Sequence, residues 1–157
     1  MKTITPFLWF DAQAEEAANF YASVFPNSKI GKISRYGDAG PGPKGSVMTI
    51  EFNLDGQDFI GLNGGPHFKF TEAVSFSIDC KSQEEVDHYW NTLSAGGEEG
   101  PCGWLKDKYG LSWQVNPRIL GEMLNDPNPA KAKAAMEAML KMKKIVIADL
   151  QKAYDAA

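Results

Sequence analysis

Three side chains in this sequence have the chemistry of a catalytic group. Glu51 lies at the centre of an alternating strand pattern, and a partly buried carboxylate can act as a general base. Cys102 stands beside a glycine, and His67 follows a Gly-Gly-Pro turn from which it could reach the thiol. For Glu51 and for Cys102 a non-catalytic role stays open, and it is the one we favour. Glu51 would then be exposed or paired with a lysine, and Cys102 would serve only for packing.

Other reactive residues do not form a known metal or phosphate pattern. The two histidines, His67 and His88, lack HxH or HxxxH spacing, and the two cysteines do not form CxxC. No phosphate loop and no dinucleotide-binding fingerprint is present. We therefore expect neither a metal nor a cofactor.

A repeated segment shows which elements position these residues. The pattern of residues 15–21, two acids and then two aromatics, returns at residues 84–90, each time after an alternating apolar run. The repeat predicts two β-α-β-β-β modules, one at about 1–66 and one at about 73–117, that form a cupped mixed sheet of the α+β class. Residues 118–157 have a helical period and predict a C-terminal helical tail within a single domain of residues 1–157.

Two details of these elements matter later. Residues 82–85 form a capping box that predicts the start of the second helix. Residues 37–45 are rich in glycine and proline and predict a mobile flap or a hairpin loop. In the tail, we expect Ala132, Met136, Met139 and Leu140 to share one helical face, which Ile145, Ala148 and Leu150 continue. We expect this face to pack in the protein core or at a subunit contact rather than to bind a ligand.

Alternation along the strands divides the sheet into two faces. One face is predicted to pack under the helices: Ile4, Leu8, Phe10, Met48, Ile50, Phe52, Val74, Phe76 and Ile78. The opposite face is predicted to bear Thr5, Phe7, Trp9, Thr49, Glu51, Asn53, Phe59, Gly61, Asn63, Ser75, Ser77, Ser112, Gln114 and Asn116. This second face is polar with a few aromatics, so it either faces water or lines a cup for a small polar or aromatic ligand.

The composition of the chain argues against several classes of protein. The net charge of −4 over 157 residues leaves no basic footprint for nucleic acid, and no apolar run reaches the length of a membrane span. Two cysteines do not make a disulfide framework, and the N-terminus has no secretory leader before the first strand. We expect a cytoplasmic protein.

Several motifs resemble a known group. The duplicated module that opens with residues 4–10 resembles the vicinal oxygen chelate superfamily of glyoxalases, bleomycin-resistance proteins and dioxygenases. The segments 62–66, 102–107 and 110–114 look like its PhnB-like subfamily, labelled 3-demethylubiquinone-9 3-methyltransferase domain. The resemblance implies a homodimer with a ligand cavity. The positions that match the superfamily's metal ligands are Thr5, one near Asn63, one near Ala73, and Gln114, none of them a strong metal ligand.

The leading hypothesis is therefore a metal-free homodimer that binds a small organic ligand. The candidate ligand-binding residues are Thr5, Phe7, Trp9, Asn63, Ser75, Trp104, Ser112 and Gln114. Alternatives are an enzyme, either the labelled methyltransferase or a glyoxalase-like isomerase or lyase that uses Glu51 with His67 or Cys102, and a resistance protein that sequesters a drug without turnover.

Overall fold

The computed structural model describes residues 2–157, which form two compact units. The first unit extends to Phe70 and the second runs from Thr71 to Ala157. The division falls between the two predicted modules. No helix among the described residues is long and apolar enough to cross a membrane.

The first unit is a four-stranded mixed sheet with one helix. Its elements are β1 (Phe7–Phe10), α1 (Ala14–Val24), β2 (Lys29–Arg35), β3 (Val47–Leu54) and β4 (Gln57–Asn63). The strand order is β1-β4-β3-β2, with β1 parallel to β4 and the other neighbours antiparallel.

The second unit repeats this topology and adds three helices. Its elements are β5 (Ser75–Cys80), α2 (Gln83–Ser94), β6 (Glu98–Glu99), β7 (Trp104–Lys106), β8 (Ser112–Pro117), α3 (Arg118–Leu124), α4 (Pro129–Met139) and α5 (Ile147–Asp155). The order β5-β8-β7-β6 matches the first sheet strand for strand, and β5 is parallel to β8. The α+β class and the duplicated module are confirmed. Each sheet is open and uncurled, so neither closes into a cup by itself.

The second aromatic residue of each repeat packs its helix against its sheet. Tyr21 of α1 and Trp90 of α2 are almost completely buried. Tyr21 stacks on Phe52 of β3 with ring centroids 6.2 Å apart, and the Trp90 indole N–H donates to Glu99 Oε1 at 2.9 Å. An aromatic side chain contributes a large buried area, so these two positions explain why the repeat has an aromatic there.

Two residues predicted to pack under the helices do not do so. Ile4 and Val74 precede their strands and are 84% and 64% exposed. The alternating sequence pattern extends beyond the residues that pair with a neighbouring strand. Outside the paired strand, alternation no longer decides which face of the sheet a side chain lies on.

The tail is helical, but its buried face differs from the prediction. Met136 and Leu140 are exposed, and the predicted continuous helix is interrupted between α4 and α5. The tail core consists of Leu120, Met123, Ala135, Ile145 and Leu150, of which only Ile145 and Leu150 were predicted. Met139 packs at its edge.

The glycine-rich segment 37–45 forms the hairpin loop between β2 and β3. The Gly45 amide donates to the Tyr36 carbonyl at 2.8 Å, and the Tyr36 ring is buried against the loop. A Cβ on Gly42 would lie 2.2 Å from that ring, so the close approach requires glycine.

Candidate functional site

One face of the second sheet bears a row of uncharged hydrogen-bonding side chains. Gln114 Nε2 donates to Ser75 Oγ at 3.0 Å, and Asn116 Nδ2 donates to Ser77 Oγ at 2.9 Å. These four residues lie on the neighbouring strands β5 and β8. The opposite face, with Ile78 and Val115, is buried. The polar face predicted for this sheet is present, with both amides held in fixed orientations.

Trp104 lies beside this row and between two cavities. It pairs with Gln114 across β7 and β8 and is half-buried. A cavity of about 450 Å³ on one side also contacts Ser112 and Lys106. A second cavity, of about 420 Å³, contacts Ser77, Gln114 and Asn116. Both volumes lie in the range typical of small-molecule sites.

Ser112 is the unusual polar group of the first cavity. The residue is 1% exposed, and its hydroxyl has no hydrogen-bond partner among the described residues. A buried hydroxyl without a partner costs about 1–3 kcal/mol. A polar atom of a ligand in the cavity would remove that cost.

Each cavity contains an ion pair. Lys106 forms an ion pair with Glu72 at the first cavity, and its hydrogen bond lowers the pKa of that carboxyl. Arg118 contacts Asp79 at 2.5 Å in the second cavity and lowers the pKa of Asp79 in the same way. The pair in the second cavity leaves its described lining without net charge, whereas Glu98 and Glu99 also line the first cavity and disfavour an anionic ligand there.

The tail also contributes to the second cavity. Leu120 and Leu124 of α3 and Met139 of α4 form part of its wall. Met139 was predicted only as a packing residue, and Arg118, Asp79, Leu120 and Leu124 were not predicted as site residues. Their helical periodicity indicated only that they were apolar, and nothing in the pattern showed what they would face.

In the first unit, the open face of the sheet is apolar where β1 meets β4, while Thr49, Glu51 and Asn53 of β3 add polar groups to it. Phe7 and Trp9 of β1 pair with Ile60 and Leu62 of β4. Trp9 makes an edge contact with Phe68, with centroids 4.9 Å apart. Phe7 and Trp9 therefore lie on the face predicted for them.

The prediction for β4 is wrong by one residue. Phe59 is buried and stacks on Phe52 at 5.3 Å, so it lies on the helix side. A Cβ at Gly61 would contact Ile50 and Ala14, which places Gly61 on the same side. Because β4 has apolar residues at both alternating positions, its pattern did not distinguish the two faces.

Asn63 is also on the helix side, where it has a structural role. Its Oδ1 accepts from the Ala14 amide at 2.8 Å, and its Nδ2 donates to the Val47 carbonyl at 3.1 Å. Asn63, at the end of β4, therefore caps the N-terminus of α1, where the N-cap residue Gln13 makes no side-chain cap bond.

The other candidate site residues of the first unit do not lie at one common site. Glu51 is half-buried on β3, on the open face opposite Ile60. His67 is exposed and lies at a separate cavity of about 440 Å³ with Asp11 and Glu15, which Glu51 does not line. Thr5 precedes β1, and its hydroxyl donates to the Lys2 carbonyl at 3.4 Å.

Comparison with known proteins identifies the family. The family model described as 3-demethylubiquinone-9 3-methyltransferase matches residues 2–116. The chain belongs to this family. The PhnB protein of Bacillus cereus is 40% identical, with a TM-score of 0.66, and the alignment covers 74% of this chain and 99% of that one. The chain is therefore PhnB-like.

Two more distant structures share the fold. A protein of Pseudomonas aeruginosa is 20% identical with a TM-score of 0.62, covering 74% of this chain and 98% of its own. A genomically encoded fosfomycin resistance protein of Listeria monocytogenes is 18% identical with a TM-score of 0.50, covering 74% and 93%. No curated protein matches the chain.

The vicinal oxygen chelate superfamily, which the sequence motifs resemble, includes metal enzymes, but the residues of this chain at the matching positions do not fit a metal. Gln114 Nε2 donates to Ser75, and its Oε1 accepts from Asn116 Nδ2 at 3.4 Å. Both groups of the Asn63 amide are bonded within the protein. Among residues 2–157, no three His, Cys, Asp or Glu side chains lie close enough to hold an ion. Amide and hydroxyl oxygens are also weak ligands for transition metals.

Cys102 has a structural role besides lining both cavities. Its φ of +57° is a left-handed conformation, and its amide donates to the Met142 carbonyl at 2.8 Å. The neighbouring Gly103 amide donates to the Lys143 carbonyl at 2.8 Å. His67 belongs to the other unit, and the predicted Cys102–His67 pair stays a prediction.

Proposed function

We propose that this family member is a metal-free protein that binds a small neutral organic molecule on the open face of the second sheet, beside Trp104. The observation that carries the proposal is the buried Ser112 hydroxyl without a partner in the cavity that Trp104 lines. Its unmet hydrogen bond gives a bound polar atom a favourable position.

The rest of the face supports a neutral ligand. The row beside Trp104 consists of amides and hydroxyls, and the charged groups in the described lining of the second cavity, Arg118 and Asp79, form an ion pair. The Trp104 ring offers an apolar surface for a planar or aliphatic group. Hydrogen bonds would set the orientation of the ligand, and burial against the ring would supply most of its affinity.

The metal-free part is tested by elemental analysis. The protein is produced in medium supplemented with zinc, nickel, iron and manganese, dialysed without chelator, and measured by inductively coupled plasma mass spectrometry. We expect metal far below one ion per chain. A stoichiometric metal that survives dialysis, and that is lost in Gln114→Ala, would contradict the proposal.

The binding part is tested by NMR with the indole N–H signals of the four tryptophans, assigned by Trp→Phe variants. A set of neutral amides and neutral heteroaromatic fragments is titrated against the full chain. We expect selective shifts of the Trp104 signal. Trp113 is the internal reference, because its indole N–H is bonded to buried Asp107 on the other side of the sheet. In Ser112→Ala the affinity should fall, because a hydrogen bond to the ligand is removed.

We also propose the homodimer, supported by exposed apolar residues on the first unit. Phe7 and Phe68 are 56% and 66% exposed beside half-buried Trp9. Apolar patches of this kind mark interaction surfaces. Light scattering of the purified chain tests it: we expect twice the mass of one chain for wild type and a lower mass for Phe7→Ser/Phe68→Ser.

Methyl transfer, which the family description names, is not part of the proposal. The strand-to-helix turns at residues 11–13 and 81–82 contain no glycine. Doubly wound nucleotide-binding folds use a glycine-rich turn at this point, followed by a helix N-terminus. Calorimetric titration with S-adenosylmethionine provides the check, and we expect no heat of binding.

A further inference from the structure

The second cavity beside Trp104 is built from two parts of the chain with different chemistry. Its floor is the polar row of β5 and β8, including Ser77, Gln114 and Asn116. Its other wall is apolar and comes from Leu124 of α3 and Met139 of α4. The family match ends at residue 116, so the apolar wall lies in a segment outside the matched family region.

This wall is fixed relative to the sheet. The helix α3 begins at Arg118, directly after β8 ends, and Arg118 holds Asp79 of β5. The Cys102 and Gly103 amides bond to the carbonyls of Met142 and Lys143, which follow α4. The tail is thus attached to the sheet on both sides of the cavity.

A third attachment joins the segment between α4 and α5 to α2. The Gln83 side chain accepts from the Ile147 amide at 2.8 Å and donates to the Ile145 carbonyl at 3.1 Å. Lys144 contacts Asp87 at 3.1 Å. Since Ile145 is completely buried in the tail core, these contacts make the cavity wall part of a packed unit.

We propose that the C-terminal helices determine the ligand specificity of this site. They select a neutral amphiphilic molecule with a compact hydrogen-bonding head and an aliphatic or aromatic body. The head lies on the amide and hydroxyl row, and the body lies against Leu124 and Met139. The proposal rests on the proposed function, because it requires that the face beside Trp104 binds a ligand.

Primary amides are suitable probes, because the head stays constant while the apolar body grows. Butanamide, pentanamide and hexanamide are titrated against the full chain, with the Trp104 indole signal and the methionine methyl signals observed by NMR. We expect affinity to rise about twofold to fourfold for each added methylene that becomes buried. The Met139 methyl signal should shift with it.

Matched variants locate the apolar contact. Met139→Ala should weaken hexanamide about fivefold and change butanamide much less, since the lost surface lies at the far end of the ligand. Met136→Ala is the control: it is the same substitution on the same helix, at an exposed residue that does not line the cavity. Leu124→Ala provides a second variant on the other helix of the wall.

The outcomes separate this proposal from the proposed function. If the amides shift Trp104 but affinity does not depend on chain length, or if Met136→Ala and Met139→Ala weaken hexanamide equally, the tail does not select the ligand and the site itself stands. If no amide shifts the Trp104 signal at millimolar concentration, both proposals are overturned.

Discussion

The two units have the same topology, but their open sheet faces differ in chemistry across the parallel strand pair. In the first unit the pairs across the parallel strands β1 and β4 are Phe7 with Ile60 and Trp9 with Leu62. In the second unit the matching pairs are Ser77 with Gln114 and Asp79 with Asn116. Buried positions on the helix side fix the fold in both units, so the open faces were free to differ.

The helix starts differ in the same way. The first sheet ends with Phe10 opposite Asn63, and Asn63 caps α1. The second ends with Cys80 opposite Pro117, whose side chain cannot cap a helix. In its place Ser82 accepts from the Glu85 amide at 3.2 Å, and Glu85 accepts from the Lys81 amide at 2.7 Å. Each helix is capped, once from a distant strand and once locally.

The hairpins offer the test with the largest expected effect. In the first unit Asp55-Gly56 turns the chain by backbone conformation, with φ of +47° and +92°. In the second unit the turn depends on Asp107, 2% exposed, which accepts from the Tyr109 and Leu111 amides and from the Trp113 indole. Asp107→Ala should destabilise the protein by about 3 kcal/mol in urea unfolding, because three buried donors lose their partner.

The matched control is Asp55→Asn, because asparagine tolerates positive φ. We expect a change within about 0.5 kcal/mol. Asp107→Asn should lower the free energy of unfolding by about 2 kcal/mol, between the other two variants. The amide oxygen still accepts from the backbone, but the amide NH₂ faces the Trp113 N–H. Equal effects of Asp55→Asn and Asp107→Ala would show that the two turns are not stabilised differently.

The helix caps provide the next test. Asn63→Ala removes a cap and a bond to the Val47 carbonyl, and we expect a loss of about 2 kcal/mol. Ser82→Ala removes one local cap bond at the surface and should cost about 1 kcal/mol. Urea unfolding of both variants measures the difference. A larger loss for Ser82→Ala would mean that the distant cap adds little to the first unit.

These two caps also show how far the sequence predicts the structure. The capping box at residues 82–85 is a local pattern, and the predicted helix start is confirmed. The Asn63 cap joins residues 49 positions apart, so no local pattern could reveal it. The same limit applies to the cavity: Trp104 and Gln114 follow from strand alternation, whereas the contribution of Met139 depends on how the tail folds back.

The two units also differ at the end of the first strand, where the second unit has Cys80 and the first unit has Phe10. Only Cys80 can ionise, so the stability of the protein should depend on pH through this residue. Burial raises the pKa of the Cys80 thiol from 9.0 to about 12, and the charges of Glu85 and Asp79 add to the rise. The unfolded thiol ionises first, so this contribution to stability is complete below pH 9 and is lost as the pH rises from 9 through about 12.

Between pH 8 and pH 10, wild type should therefore lose about 1 kcal/mol more stability than Cys80→Ala. Urea unfolding at both pH values gives the four free energies. Cys102→Ala, which keeps Cys80, should follow wild type. Parallel losses in wild type and Cys80→Ala would show that the buried thiol is not the cause.

The smallest stability effect is expected where the open faces differ. Ser77→Val/Asn116→Val gives the second face the apolar character of the first. Replacing both partners of a hydrogen bond by apolar groups is nearly neutral, and valine suits a strand. We expect unfolding free energy to change by less than about 0.5 kcal/mol, while hexanamide binding at Trp104 weakens severalfold. A stability loss above about 1 kcal/mol with unchanged binding would instead make the polar row a structural feature of this sheet.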